Sequence, residues 1–181
     1  MKLEPARHFA ELIKGILAPF CEKIEIAGSI RRARPNVNDI DFVLLPKYGQ
    51  TLALRERCKQ RCRVVKDGEQ NYIVAMPISA AQRETLGMDG WEVQIDIFIA
   101  HPGKRDLLQC VPSNFGSLLV CRTGSTAHNI WLVERAKKNY MTWNPYAGVI
   151  DPEGYVIAGE TEAEVFAACG VDYIEPERRE R

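Results

Sequence analysis

An α+β fold in two sections is predicted for this chain, and three observations predict it. Apolar residues at positions 6, 9, 10, 13, 16 and 17 recur with the period of an amphipathic helix. From there to residue 99, short apolar segments bounded by Gly, Pro and Asp are interspersed with a helical stretch, the pattern of a sheet with helices packed on it. Beyond Pro102-Gly103 helical spacing dominates, at 114–120, 125–138 and 161–169, with short strands only near 148–150 and 155–158. The expected division is 1–105 for the first section and 106–181 for a smaller second one.

The first helix covers 6–18. A strand at 23–27 (Ile24-Glu25-Ile26-Ala27) runs into Gly28-Ser29, read as a strand-to-helix turn before a short helix. Ile40 to Leu45 form an apolar strand that stops at Pro46, and 51–62 read as helical. In that helix Cys58 and Cys62 share a face with Leu54, the spacing of core packing. Asp67-Gly68 reads as a hairpin turn between 63–65 and 72–76. Gly87 to Gly90 mark a loop before Trp91–Ile99, an alternating strand that places Asp96 on the same face as Gln94 and Phe98. The tail Glu177–Arg181 is expected to fray.

Composition narrows the function classes. Apolar content of 46% and charged content of 27% are those of an ordinary globular protein, and no run approaches the length of a membrane span. Met1-Lys2-Leu3-Glu4-Pro5 carries acid and proline where a signal peptide would need an apolar stretch, so a cytoplasmic location is expected. Six cysteines without a dense framework suit reduced thiols, and the scattered histidines 8, 101 and 128 offer no zinc spacing. Lys plus Arg equals Asp plus Glu at 24 each, so bulk charge announces no nucleic-acid binder. Locally, Arg55, Arg57, Lys59, Arg61, Arg63 and Lys66 form a basic cluster, equally compatible with a solvated helix face and with a phosphate-backbone contact.

The chemistry gathers in one region. The Gly28-Ser29 turn directs backbone N–H groups at an anion, and Arg31 and Arg32 follow with full charge. Asp39 and Asp41, two apart on a strand, project from one face, where their mutual repulsion makes most sense if divalent cations lie between them. Asp96 is the third strand aspartate. The alternative, solvent-facing residues at a sheet edge, accounts for one such acid more easily than for three. Carboxylates that bridge two cations beside a phosphate cradle are the equipment of nucleotidyl transfer.

Gly28-Ser29-x-x-Arg32, Asp39-x-Asp41 and the later Ile95-Asp96-Ile97 resemble the catalytic palm of the family X DNA polymerases, the DNA polymerase beta group. That half of the pattern is shared with nucleotidyltransferases at large, including antibiotic-modifying and CCA-adding enzymes. The second half is more specific. Asn114-Phe115-Gly116-Ser117-Leu118-Leu119 with Arg122-Thr123-Gly124-Ser125-Thr126-Ala127-His128-Asn129 is similar to the palm-to-thumb segment of bacterial members. Ile157–Val165 and Tyr173-Ile174-Glu175-Pro176 are similar to the C-terminal thumb signature, so the resemblance spans about residues 5 to 178.

The resemblance implies a nucleotidyltransferase palm with a mixed sheet, followed by a small α+β thumb, a minimal form similar to bacterial or phage members. It implies that Ser29 and Arg32, beside Gly28, hold the incoming triphosphate. Asp39, Asp41 and Asp96 would bind two Mg²⁺ ions, with Mn²⁺ as a substitute, and Asp96 would help activate the primer hydroxyl. Gly124 and Ser125 would form the turn under the sugar, and Asn129 would read the minor-groove edge of the base. Arg7 aligns only loosely as a phosphate contact. The chain departs from the family at Cys121-Arg122, where two aromatic residues usually contact the sugar, at Val133 in place of a template-contacting arginine, and at Gln94 in place of an arginine.

The expected activity is template-directed addition of nucleotides to a primer 3′-hydroxyl, with pyrophosphate release, in gap-filling DNA repair. The expected partners are primer–template or gapped DNA and a dNTP, or an rNTP, with no membrane and a monomeric chain. The alternatives are a transferase acting on RNA or a small molecule, a template-independent terminal transferase, and a catalytically silent nucleic-acid-binding module.

Overall fold

The computed structural model describes residues 1–105 and 110–180 of the chain. The expected boundary at 105/106 abuts residues 106–109, which lie outside the described residues, as does Arg181. The backbone divides into two compact units, Met1–Ile99 and Ala100–Arg181. The fold is α+β with a mixed sheet.

In the first unit, helix α1 (Leu3–Leu17) lays Ala6, Phe9, Ala10, Ile13 and Leu17 into the core. Strand β1 (Cys21–Ile26), helix α2 (Gly28–Arg31), strand β2 (Ile40–Pro46) and helix α3 (Thr51–Lys59) follow. Then come β3 (Arg63–Asp67), β4 (Asn71–Pro77), helix α4 (Ala80–Leu86) and β5 (Glu92–Ile99). The five strands are ordered β1-β2-β5-β4-β3, with β2 and β5 parallel and every other pair antiparallel. Phe42, Val43, Leu44 and Leu45 are all buried, as the near-continuous apolar run of a central strand requires.

Two readings of the first unit change. Helix α4 has no counterpart in the expected pattern. It has seven residues and buries only Leu86, so it lacks an apolar stripe, and it is held by a capping box between Ser79 and Gln82. The hairpin turn is longer than Asp67-Gly68. Asp67 belongs to β3 and the connection covers 68–70, closed by Gly68 N–H donating to the Asn71 carbonyl at 3.1 Å.

Arg55 accounts for that connection. Its guanidinium donates to Asp67 and to the carbonyls of Gly68 at 2.7 Å and Glu69 at 3.1 Å, and stacks 5.0 Å from the Tyr72 ring centroid. In the same cluster Lys59 pairs with Glu56 and Arg63 with Glu92. With Arg57 donating to Gln60 Oε1 at 3.2 Å, at least four of the six cations are therefore engaged within the protein. Cys58 packs beside Leu54 as expected, and burial pushes its thiol up to about 12 and that of Cys21 up to about 11. These are structural thiols with little thiolate character.

In the second unit, helices α5 (Phe115–Thr123), α6 (Thr126–Lys138) and α7 (Glu162–Ala168) surround a small antiparallel sheet. A two-residue ribbon, β6 (Lys104–Arg105) with β7 (Cys110–Val111), precedes them, and the sheet consists of β8 (Thr142–Asn144), β9 (Gly148–Ile150) and β10 (Val156–Ala158). Val120, Leu132, Trp143, Val149, Val165 and Phe166 form the core. The indole N–H of Trp143 donates to Ser117 Oγ at 2.9 Å, so its one polar atom is satisfied inside. Gly116 packs α5 on the start of α7 so tightly that a Cβ there would overlap the Thr161 backbone.

Within the described residues, the tail expected to fray is held through Arg179. Pro176–Arg178 form a 3₁₀ turn, and Arg179 is completely buried, ion-paired to Glu162 at 2.8 Å. One arginine with a buried partner outweighs the polar look of Glu177–Arg181.

His101 yields a pH prediction. Its Nδ1 accepts the Gly103 N–H at 3.2 Å, and burial, with Lys104 nearby, lowers its pKa below the ordinary 6.5. The fold thus prefers neutral imidazole, and on acidification the unfolded chain takes up the proton first. The contribution of His101 to stability is complete above about pH 6.5 and is lost as pH falls through its lowered value. An NMR titration should place His101 below 6.5, and His101→Asn should flatten this part of the stability profile in urea melts. A midpoint above 6.5 contradicts the assignment.

Candidate catalytic site

The parallel register of β2 on β5 pairs Ile40 with Ile95 and Asp41 with Asp96. Ile40, Phe42, Ile95 and Ile97 are at most 1% exposed, so the pleat that buries them turns the acids to the opposite face. Asp39 lies one residue ahead of β2, in a bend and not on the strand as expected, yet it joins the same group. One carboxylate oxygen from each of Asp39, Asp41 and Asp96 lies within 4.8 Å of the others, all three side chains being partly buried.

The surroundings fix these acids. Gln94 Nε2 donates to Asp96 Oδ1 at 2.8 Å along the same strand face. The Ala27 N–H donates to the Asp41 carbonyl at 2.8 Å, which carries the chain from β1 directly over β2. Gly28 then adopts φ +59°, and a Cβ at that position would overlap the Asp41 carboxylate. Only glycine meets both demands. The turn is closed by Arg32 N–H to the Gly28 carbonyl at 3.2 Å and Arg34 N–H to the Ser29 carbonyl at 2.9 Å. Ser29 Oγ is buried with no hydrogen-bond partner among the described residues. Arg31 and Arg32 are partly buried beside it, and Arg7 pairs with Glu4 at 3.1 Å.

The donor set is three hard carboxylate oxygens close enough for shared ligation, the type that suits Mg²⁺ or Mn²⁺ and not a thiophilic ion. The unsatisfied Ser29 hydroxyl next to it is a donor for an anionic oxygen.

The remaining predicted residues gather at the α5–α6 junction of the second unit. Gly124 ends α5 at φ +66° and donates its N–H to the Val120 carbonyl at 3.1 Å; the Gly124–Ser125 peptide is cis. Ser125 caps α6, its Oγ accepting the His128 N–H at 3.2 Å. Asn129 lies one turn on and donates Nδ2 to the Cys121 carbonyl at 2.8 Å. Arg122 donates to the Tyr146 hydroxyl and stands 5.6 Å from that ring's centroid.

Sequence reasoning missed Gln94 as the partner of Asp96, although a shared strand face at a spacing of two made it legible. It also missed Tyr146, which is brought to Arg122 by the loop between β8 and β9, a contact that no local spacing encodes.

Gly28→Ala provides the test of this geometry. The chain should stay folded, at a cost of roughly 1–2 kcal/mol for the left-handed backbone. The added methyl group should displace Asp41 and weaken Mn²⁺ binding, read by electron paramagnetic resonance, at least tenfold. Unchanged Mn²⁺ affinity would mean that the turn does not set the position of Asp41.

No curated protein matches the chain. Among family models, that of the DNA polymerase beta thumb matches residues 118–180, which covers α6, α7 and the small sheet. This match supports a relationship between the chain and the DNA polymerase beta group.

Proposed function

We propose that this chain is a nucleotidyltransferase of the DNA polymerase beta type that adds nucleotides to a primer 3′-hydroxyl on DNA. The observation that carries the reading is the Asp39–Asp41–Asp96 group, with oxygens within 4.8 Å beneath a glycine turn. The thumb match over residues 118–180 adds the DNA-polymerase character. In this reading 1–105 is the catalytic palm and 106–181 the thumb, acting as a monomer in template-directed gap filling.

Asp39, Asp41 and Asp96 would hold two Mg²⁺ ions, which when bound favour the ionised primer hydroxyl and neutralise charge on the phosphates. Asp39 and Asp41 face the triphosphate, and Asp96, oriented by Gln94, faces the primer terminus. Ser29 Oγ donates to a phosphate oxygen, satisfying an otherwise orphaned buried hydroxyl, while the Arg32 guanidinium supplies positive charge and planar donors. The Gly124-Ser125 turn lies under the sugar. Asn129 Nδ2 is held by the Cys121 carbonyl at 2.8 Å and by Cys121 Sγ at 3.9 Å, which fixes the side chain that in this reading faces the base.

Primer extension on gapped, recessed and single-stranded DNA, with dNTPs and rNTPs, tests the reading. Templated extension supports it, untemplated addition shifts it to terminal transfer, and no incorporation on any DNA overturns it. Asp41→Ala and Asp96→Asn should each lower incorporation by about a thousandfold or more, with the melting temperature preserved because each removes charge from a repelling group. Asp96→Asn should still bind Mn²⁺–nucleotide through Asp39 and Asp41. Near-normal turnover in Asp96→Asn contradicts the three-acid assignment.

Sugar selection gives a further prediction. Cys121 is small, and Arg122 is drawn toward Tyr146, so no bulky ring from this pair crowds a 2′-hydroxyl. A site that merely fails to exclude a hydroxyl discriminates by about a hundredfold or less. The ratio of kcat/KM for dNTP over rNTP should fall in that range and rise in Cys121→Tyr/Arg122→Phe. A native ratio of many thousands, unaltered by the double substitution, means that the backbone does the excluding.

A further inference from the structure

Arg179 is the largest fully buried side chain among the described residues. Its Nη1 donates to Glu162 Oε1 at 2.8 Å and its Nε to the Ile174 carbonyl at 2.8 Å. The guanidinium lies 5.0 Å from the Phe166 ring centroid and 5.4 Å from that of Tyr173, two rings that meet edge to face. Tyr173 in turn donates its hydroxyl to Glu162 Oε2 at 3.4 Å. Charge, two directional donors and ring stacking together hold the guanidinium in place, with Nη2 left without a partner among the described residues.

The backbone of the same residue serves Ser125. The Arg179 carbonyl accepts both the Ser125 N–H at 3.1 Å and the Ser125 hydroxyl at 2.8 Å, across 54 positions of sequence. With Oγ also accepting from His128 N–H, the backbone N–H and both functions of the hydroxyl are engaged. Ser125 is thus held on one side by the first turn of α6 and on the other by residue 179. An apolar core does not need a buried ion pair for stability, since well-packed hydrophobic replacements are often as stable. The geometry the pair imposes is what an apolar replacement lacks.

We propose that Arg179 is a positioning residue for nucleotide binding: its buried guanidinium fixes the carbonyl that holds Ser125, and through it the Gly124 turn and the entry of α6 that carries Asn129. This rests on the reading in which that turn lies under the nucleotide sugar. Loss of the anchor should appear as weaker nucleotide binding with the acid group untouched.

The experiment compares the unaltered chain with Arg179→Lys, Arg179→Met, Ser125→Ala and the Ser125→Ala/Arg179→Met double variant. It measures kcat and the nucleotide KM on one gapped DNA, together with hydrogen exchange of the Ser125 amide. Arg179→Met should raise the nucleotide KM about tenfold while changing kcat less than threefold, and should speed Ser125 exchange at least tenfold. Arg179→Lys should recover part of both effects. The double variant should exceed the worse single variant by less than twofold, because both act through one contact. If Arg179→Met does not fold, Arg179→Lys and Ser125→Ala carry the comparison, and a KM within twofold of the unaltered chain in both overturns the proposal. So does Arg179→Met with a lowered melting temperature but unchanged KM and unchanged Ser125 exchange. If the unaltered chain incorporates nothing, the polymerase reading itself fails. Faster Ser125 exchange in Arg179→Met would then show the anchor to be real, and its role in nucleotide binding would fall with that reading.

Discussion

Three carboxylates within 4.8 Å of one another are the constraint around which the first unit is arranged. Their repulsion is poorly screened because each is partly buried. The fold tolerates it because Asp41 and Asp96 sit on the two strands whose alternate residues are the deepest in the core. Ile40, Phe42, Ile95 and Ile97 cannot turn outward without losing the main apolar cluster, so the acids cannot turn away from each other. A slip of one residue between β2 and β5 would separate the directly paired Asp41 and Asp96. Gly28 completes the arrangement by letting backbone rest where a side chain would collide with Asp41.

The second unit handles charge in the opposite way. There the ion pair is taken inside, where Arg179 Nη1 pairs with Glu162 against aromatic rings while Nη2 finds no partner among the described residues. Other polar contacts in it connect distant segments: buried Trp143 to Ser117, and, partly buried, Asn114 to the Tyr146 carbonyl and Asn139 to the Cys169 carbonyl. A small core of few apolar residues gains its unique packing from such directional contacts.

The acid group was legible in the sequence because Asp41 and Asp96 lie on strands, where period two gives facing directly, and Asp39 joins them from the bend one residue ahead of β2. Helix α1 was legible from its helical apolar period, β1 and β5 from alternation, and β2 from its near-continuous apolar run. Helix α4 was not, since one buried leucine leaves no period, and its capping box was the only signal. The hairpin between β3 and β4 was placed correctly but its turn was drawn too tight, because the ties from Arg55 that shape it come from another element. Arg179 read as solvent-exposed tail because its partner Glu162 stands 17 positions away, beyond any local pattern.

The order β1-β2-β5-β4-β3 has a consequence for how the chain acquires its structure. β1 with β2, and β3 with β4, pair with their neighbours in sequence, whereas β5, last to appear, takes the central place between β2 and β4. Its parallel contact with β2 closes a loop of about 55 residues, the slowest kind of pairing to form. Asp96 stands beside Asp41 only through that pairing, so closing the sheet between its two sequence-local ribbons and bringing these two acids together are the same contact.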